Sequence, residues 1–337
     1  MDQLLSVVVI GAGGIANSVH LPSLRDISHI RIAAICDVIQ EKAQGAADRF
    51  GIPAVYTDYR TMIQEIKPDG AFVLVQPDQM FRIASFCLEE GVDTFIEKPA
   101  GITVFQTEAL KALSEKTGRT LQVGMNRRYI PMMRAVVKRM RELTEITQVE
   151  GCFVKHGDAS FYGGCASAFI CDTIHAIDIL SWIADSEPAA AATVISQVNS
   201  PVANAWNSVL RFENGVTGIL KANYQTGGRV HAFEFHGPEA SAFVNIGFGC
   251  EGCEAKILHN LGGGTFSISA AGLSGFEIET FDGKEIAGSD AYYRYYGYFD
   301  EDLAFVQSIR SREKSLSDIQ DSLRSMRLAE YLLSHRI

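Results

Sequence analysis

The tightest constraint on the fold is a ten-residue stretch near the start, "VVVIGAGGIA" at Val7–Ala16. An apolar, β-rich run ends at Gly11, and Gly13 and Ala16 complete a G-x-G-x-x-G/A spacing. A strand ending this way turns at once into a helix. Gly11 permits the tight turn, Gly13 lets a pyrophosphate approach the backbone, and Ala16 allows close packing of helix on strand. The helix start, through Gly14 and Ile15, presents free N–H groups and positive potential to phosphates. The dinucleotide-binding pattern also asks for an acid about 20 residues on, and here Asp37 ends "RIAAICD". A carboxylate there accepts the adenosine ribose hydroxyls and repels a 2′-phosphate. Val38 and Ile39 bring no guanidinium to hold that phosphate, which leaves Lys42. The expected cofactor is NAD, with NADP less favoured.

The rest of the first 125 residues alternates. β-rich runs at "SVVVIG", "RIAAICD", "GAFVLVQP", "DTFIEKP" and "TLQVGM" are separated by helical patterns such as "VIQEKAQGAADRF" and "TVFQTEALKALSEKTG". Strand followed by helix, repeated, predicts a doubly wound parallel sheet of Rossmann type covered on both faces. Thr103 and Thr107 suit the N-terminus of the last of these helices, and Gly118 its stop. After Asn126 the texture changes. From Ala192 to Phe281 neighbouring runs read as successive strands, with "ENG" at Glu213–Gly215 as a hairpin turn, which predicts a largely antiparallel open sheet. Helical patterns return from Gly297. The expected organisation is α/β followed by α+β: a nucleotide-binding domain over 1–125, a substrate and oligomerisation domain over 126–290, and C-terminal helices over 291–337 packing back on the first domain.

Composition narrows the partners. With 337 residues, 47% hydrophobic and 21% charged, the chain has the makeup of a globular protein long enough for two cores. A formal charge of −10 without a basic stripe argues against nucleic acid or an anionic membrane. No apolar run approaches the roughly 20 residues of a membrane span, and the N-terminal apolar run reads as a strand rather than a signal peptide, so a cytoplasmic location is expected. The seven cysteines are scattered. A lone C-x-x-C, Cys250 and Cys253, lacks the second pair of a zinc site and reads as a turn with free thiols; no metal is expected.

Three further segments carry chemistry. Ligands of open α/β sheets sit at the carboxyl ends of the strands, which is where "EKP" places Glu97 and Lys98. In "FICDTIHAIDILSWIAD" the apolar residues recur at helical spacing. Asp172 and His175 would then lie on one face of the helix, with Asp178 a further three residues on. A histidine in this setting is either a hydrogen-bonded core residue or an acid/base group. Asn126, Arg127, Arg128 and Tyr129 follow the next strand end, where they suit contact with nicotinamide or substrate, or salt bridges linking domains. Side chains one apart on a helix diverge by about 100°, so one of the two arginines points inward.

Taken in order, "GAGGIA", the strand-ending Asp37, "EKP" at 97–99, "VGMNRRY" at 123–129 and "H-x-x-D" with Trp182 beyond it resemble the Gfo/Idh/MocA family of oxidoreductases over nearly the whole chain. The resemblance implies a nicotinamide nucleotide held by Gly11, Gly13, Gly14, Ile15, Asp37, Pro77, Glu97 and Lys98. It implies that Lys98 hydrogen-bonds the reacting oxygen, that the peptide before Pro99 is often cis, and that His175 is the acid/base group. Substrate contacts would come from Lys98, Asn126, Arg127, Tyr129, Asp172 and His175. Dimers or tetramers would form through the second domain's sheet. The chain departs from the family pattern at two places. Cys171 stands where many members carry an aspartate, with Asp172 one residue later as its substitute, and "VQPDQMF" has Asp78 and Phe81 where members have asparagine and histidine. The expected activity is hydride transfer between nicotinamide and a carbinol or ketone carbon of a sugar, inositol, polyol or derivative. The alternatives are an NAD-dependent glycosidase of the same fold and a non-catalytic nucleotide-sensing regulator.

Overall fold

A computed structural model describes residues 4–157, 160–247, 252–260, 267–269, 272–274 and 276–337. Contacts divide the chain into two compact units. The first comprises Met1–Tyr129, Ser160–Asp172 and Ala291–Arg327, and the second Ile130–Ala159, Thr173–Asp290 and Leu328–Ile337. This is more interleaved than single breaks near 125 and 290, because the short segment 160–172 belongs to the first unit, and 328–337, expected with the first domain, belongs to the second.

In the first unit, β1 (Leu5–Ile10), β2 (Ile30–Cys36), β3 (Val55–Tyr56), β4 (Gly70–Val73), β5 (Asp93–Glu97) and β6 (Leu121–Gly124) form one sheet in the order β3-β2-β1-β4-β5-β6. All its pairings are parallel. Val7, Val8 and Val9 are fully buried, as are Ala71, Phe72 and Val73, because helices cover both faces and leave no polar side for the strands to alternate toward. The strand order reverses between β1 and β4, and a crevice opens there at the carboxyl ends. Local chemistry sets the helix limits. Asp58 accepts from the amides of Arg60 and Thr61 at the start of α1 (Tyr59–Ile66). Pro77 opens α2 (Pro77–Glu89). Thr103 caps α3 (Val104–Thr117) by accepting from Gln106, while Gly118, at φ +66°, stops it. Thr107 lies inside the helix and donates to the Thr103 carbonyl. From the end of the chain, α4 (Tyr298–Ser311) seats Phe305 against Phe72 and Phe95, with ring centroids 5.1 and 5.8 Å apart. Gly70 makes room for this helix: a Cβ there would stand 2.8 Å from Ile309 Cδ1.

The second unit is built on β7 (Gln148–His156), β8 (Pro188–Ser196), β9 (Ala205–Phe212), β10 (Thr217–Asn223), β11 (Gln225–His236), β12 (Ala240–Ile246), β13 (Cys253–Asn260) and β14 (Phe276–Asp282). Their order is β8-β9-β10-β7-β11-β12-β13-β14, antiparallel except where β10 pairs with β7. The "ENG" segment closes the β9–β10 hairpin with Gly215 at φ +91°. Burial alternates along β9, as expected of a sheet covered on one face. That cover includes α5 (Ile174–Ala184), and Gly151 on β7 admits it, since a Cβ there would meet Leu180 Cδ1 at 2.8 Å. Cys253 opens β13 rather than lying in a turn, and Cys250 lies outside the described residues; of the expected strand "TFSISA", Ser267–Ser269 is a strand and the rest lies outside the described residues. Among the described residues no helix is long and apolar enough to cross a membrane.

Candidate active site

The glycine turn is held by the two strands beside it. The Gly11 amide donates to the Cys36 carbonyl (2.7 Å) and the Leu74 amide to the Ile10 carbonyl (2.8 Å). Gly11 has φ +103°, and a Cβ there would lie 2.4 Å from the Leu74 oxygen. At Gly13 an added Cβ meets nothing within 4 Å, so this part of the backbone faces open space. Ala16 is fully buried, Gly14 is exposed and Ile15 is half-buried. The helix that follows begins with an unusually wide turn at Ala16–His20. Asp37 ties β2 to this turn, its Oδ2 accepting from the Ala12 amide (2.8 Å) and its Oδ1 from Ile39 (2.9 Å). Gly11, Gly13, Asp37, Lys42, Gln76 and Arg82 are among the residues lining a cavity of about 390 Å³. A glycine floor open at Gly13, a cavity of this size and a fixed carboxylate at its rim suit the adenosine and pyrophosphate of a dinucleotide.

Across the switch point, β5 ends in Glu97, Lys98 follows it, and the Lys98–Pro99 peptide is cis. The Lys98 ammonium donates to the Cys171 carbonyl (2.7 Å), and its amide donates to Glu97 Oε2 (3.1 Å). The Cys171 thiol, pushed up to about 11 chiefly by burial, is neutral at ordinary pH. Lys98 therefore meets a carbonyl dipole there and no thiolate. Tyr162 shares this neighbourhood; burial first, then the acidic groups of Cys171, Glu97 and Asp172, push its phenol up to about 12. Behind Lys98, Glu97 Oε1 lies 3.0 Å from His20 Nε2, and His20 Nδ1 lies 2.9 Å from Asp302 Oδ1. His20 and Asp302 are fully buried and Glu97 nearly so. The sequence reading passed over His20 and Asp302. The signal for the first was a histidine inside the apolar run "SVHLPSL", and for the second the need of a buried histidine for a partner.

The expected cluster at 126–129 is a tight helical turn of buried residues. Asn126 Nδ2 donates to the Tyr296 carbonyl (3.0 Å). Arg128 is fully buried, in an ion pair with Asp321 and a 2.7 Å bond to the Leu316 carbonyl. The Tyr129 hydroxyl pairs with Ser317 Oγ (3.2 Å) and accepts from the Ser317 amide (3.1 Å). Arg128 and Tyr129 thus serve the packing of the C-terminal segment, and Arg127 is buried beside them.

In the second unit, His175 sits on α5 at 7% exposure, with Asp178 buried three residues on. Regular helix starts only at Ile174, because Phe169–Thr173 is a wider turn. The 100° step that paired Asp172 with His175 on one helical face is corrected on that ground, and it applies from His175 to Asp178 only. Nearby on the covered face of the sheet, Thr173 Oγ1 meets the Tyr224 hydroxyl at 3.0 Å, and His231 stacks on Phe153 at 3.9 Å. The Lys155 ammonium stands 4.9 Å from the Tyr224 ring centroid. Tyr224, His231 and Lys155 also escaped the sequence reading, since their register on the sheet is set by pairings remote in sequence.

Comparison with known proteins agrees with this fold. Residues 5–125 match the profile of the oxidoreductase family with an NAD-binding Rossmann fold, and residues 139–243 match the GFO/IDH/MocA C-terminal domain. The chain is 28% identical over 226 residues to D-apiose dehydrogenase of Paraburkholderia graminis, a match spanning 64% of this chain and 60% of that one. It is 26% identical over 188 residues to inositol 2-dehydrogenase of Salmonella typhimurium, covering 54% and 55%. The matched part is thus less than two thirds of either relative. In structure, a dehydrogenase from Chromobacterium violaceum superposes with a TM-score of 0.87 over 99% of this chain and 96% of that one, at 19% identity, which shows a shared fold.

Proposed function

The chain belongs to the Gfo/Idh/MocA family of NAD-binding oxidoreductases, and on that premise we propose that it is an NAD-dependent dehydrogenase acting on a carbinol or ketone carbon of a sugar, inositol, polyol or derivative. The observation that carries the reading is the placement of Lys98. Its ammonium leaves the carboxyl end of β5, on the half of the sheet opposite Asp37, with amide and side chain both anchored. When bound, NAD supplies the hydride acceptor. The turn through Gly11, Gly13, Gly14 and Ile15 binds pyrophosphate with backbone amides and a helix start, Asp37 takes the adenosine ribose, and Pro77 and Glu97 shape the crevice between them. Lys98 Nζ orients the substrate oxygen and stabilises negative charge growing on it. The imidazole of His175 exchanges the hydroxyl proton, a role that histidine fills most often in general acid–base catalysis. Asp172, Asn126 and Arg127 are assigned to substrate positioning rather than proton transfer, whereas Tyr129, bonded to Ser317, is left to packing.

We further infer a cytoplasmic homodimer or homotetramer formed through the uncovered face of the second unit's sheet. That face carries Val194, Val209, Phe243 and Ile278, at 46%, 62%, 41% and 52% exposure. Sedimentation as a monomer at micromolar concentration would remove this inference. The test of activity is NADH formation across a panel of inositols, aldoses, uronates and amino sugars, each with NAD and NADP. Turnover with NAD on at least one of them is expected; failure to bind NAD at all would reject the reading.

A further inference from the structure

We propose that His20 is a positioning residue for Lys98: clamped between the Glu97 and Asp302 carboxylates, it fixes the side chain that receives the Lys98 amide and so sets where the Lys98 ammonium stands. The inference rests on the dehydrogenase reading for its consequence and on four short contacts for its geometry. Both ring nitrogens of His20 face carboxylate oxygens, Nε2 to Glu97 Oε1 at 3.0 Å and Nδ1 to Asp302 Oδ1 at 2.9 Å. A neutral imidazole has one N–H and can serve one of them. With both carboxylates ionised, the arrangement requires an imidazolium. In keeping with this, the two carboxylates outweigh the cost of burial and raise His20 to about 10.

The groups facing His20 come from β5 and from α4 or the residue that opens it. They are Glu97, Asp302, the edge of Tyr298 at 5.6 Å between centroids and the edge of Phe95 at 5.4 Å. Burial raises Tyr298 well above its ordinary range, and it stays neutral. His20 is then the cation that both buried carboxylates share, and the other oxygen of Glu97 holds the Lys98 amide at 3.1 Å. The Lys98 side chain has a second tether at the Cys171 carbonyl, 2.7 Å away. Gly124 leaves little slack, because a Cβ there would touch Glu97 Cδ at 3.3 Å. Neutralising His20 strands the Glu97 charge in a site almost without solvent. The carboxylate must then take up a proton or turn away, and either releases the Lys98 amide.

The experiment uses the full chain with His20→Gln, Asp302→Asn and, as the link under test, Glu97→Gln. Amide hydrogen exchange at Lys98 reads the Glu97 contact without any turnover. Exchange at least 10-fold faster is expected in His20→Gln and in Asp302→Asn, with β1 and β4 amides unchanged. On an active substrate, kcat falls about 10² for a reacting group misplaced by an ångström, while KM for NAD moves less than about threefold. His20→Gln combined with Glu97→Gln costs no more than the worse single change, because both act through one contact. In Asp302→Asn, which lowers the charge around the imidazole, kcat gains a basic limb below pH 9 that wild type lacks. Lys98 exchange within twofold of wild type in folded His20→Gln and Asp302→Asn overturns the proposal. So does a double variant whose loss is the product of the singles. If no substrate turns over, the dehydrogenase reading fails while the exchange result still decides the clamp.

Discussion

The three glycines of the turn look alike in sequence, but the structure gives them separate jobs, and alanine at each should separate stability from ligand binding. At Gly11 the backbone has φ +103°, and an added Cβ would stand 2.4 Å from the Leu74 oxygen and 2.9 Å from its carbon. Holding alanine at such a φ costs about 1–3 kcal/mol. The clash is with backbone, so β1 and β4 must part, at an overpacking cost of about 1–3 kcal/mol. Gly11→Ala should therefore lose about 2–6 kcal/mol of stability without any ligand. At Gly13 an added Cβ meets nothing within 4 Å. Gly13→Ala should leave the unfolding free energy of the free protein within about 0.5 kcal/mol of wild type, the range of surface changes. Its methyl nevertheless stands where a pyrophosphate must approach, and NAD binding should weaken at least tenfold, or about 1.4 kcal/mol. Gly14, exposed and equally uncrowded, should tolerate alanine on both counts. Urea unfolding followed by fluorescence and calorimetric titration with NAD measure the two axes. A Gly11→Ala protein within 1 kcal/mol of wild type, or a Gly13→Ala protein that binds NAD normally, would refute this division of roles.

Other expectations follow from single contacts. Asp37→Asn drops the charge and keeps one acceptor where Ala12 and Ile39 each used a carboxylate oxygen; the ratio of NAD to NADP affinity should fall at least tenfold, and an unchanged ratio would place the ribose elsewhere. Lys98→Ala and His175→Ala should each lower kcat by ~10² or more while NAD still binds, the usual scale of proton-transfer groups; turnover within a few-fold of wild type would exclude that residue. His20, raised from 6.5 to about 10 in the folded chain, binds a proton there that the unfolded chain has released. Its contribution to stability is complete below pH 6.5 and is lost as pH rises through about 10. Between pH 6.5 and 8.5 stability should fall by about 1.4 kcal/mol per pH unit relative to His20→Gln. Parallel urea midpoints for the two proteins across that window would contradict a charged His20.

What could be read in the sequence was what neighbours along the chain decide. The glycine turn, the Asp37 strand end, the parallel sheet and the "ENG" hairpin each rest on residues a few positions apart, where backbone sterics and apolar period suffice. The readings that slipped depended on partners far along the chain or on atoms without a sequence signature. His20 meets Glu97 across 77 positions and Asp302 across 282. No window around "SVHLP" contains the charges that decide its protonation. Lys98 is tethered by the carbonyl of Cys171, a group every residue carries, so no side-chain type at 171 could announce it. The placing of Asp172 rested on regular helical spacing, and a wide turn at Phe169–Thr173 stands where that spacing was assumed. Arg128 and Tyr129 sit at a strand end, where ligand contacts are common, yet their partners Asp321 and Ser317 lie almost 200 positions on and draw both side chains into packing. Those distant partners connect two of the three segments of the first unit. Residues 1–129 supply the sheet and the crevice, while 291–327 supply Asp302, Tyr296, Ser317 and Asp321 beneath it. The C-terminal segment is thereby part of the electrostatic foundation of the site, and a change at Asp302 should be felt at Lys98 although neither the chain order nor any local pattern connects them.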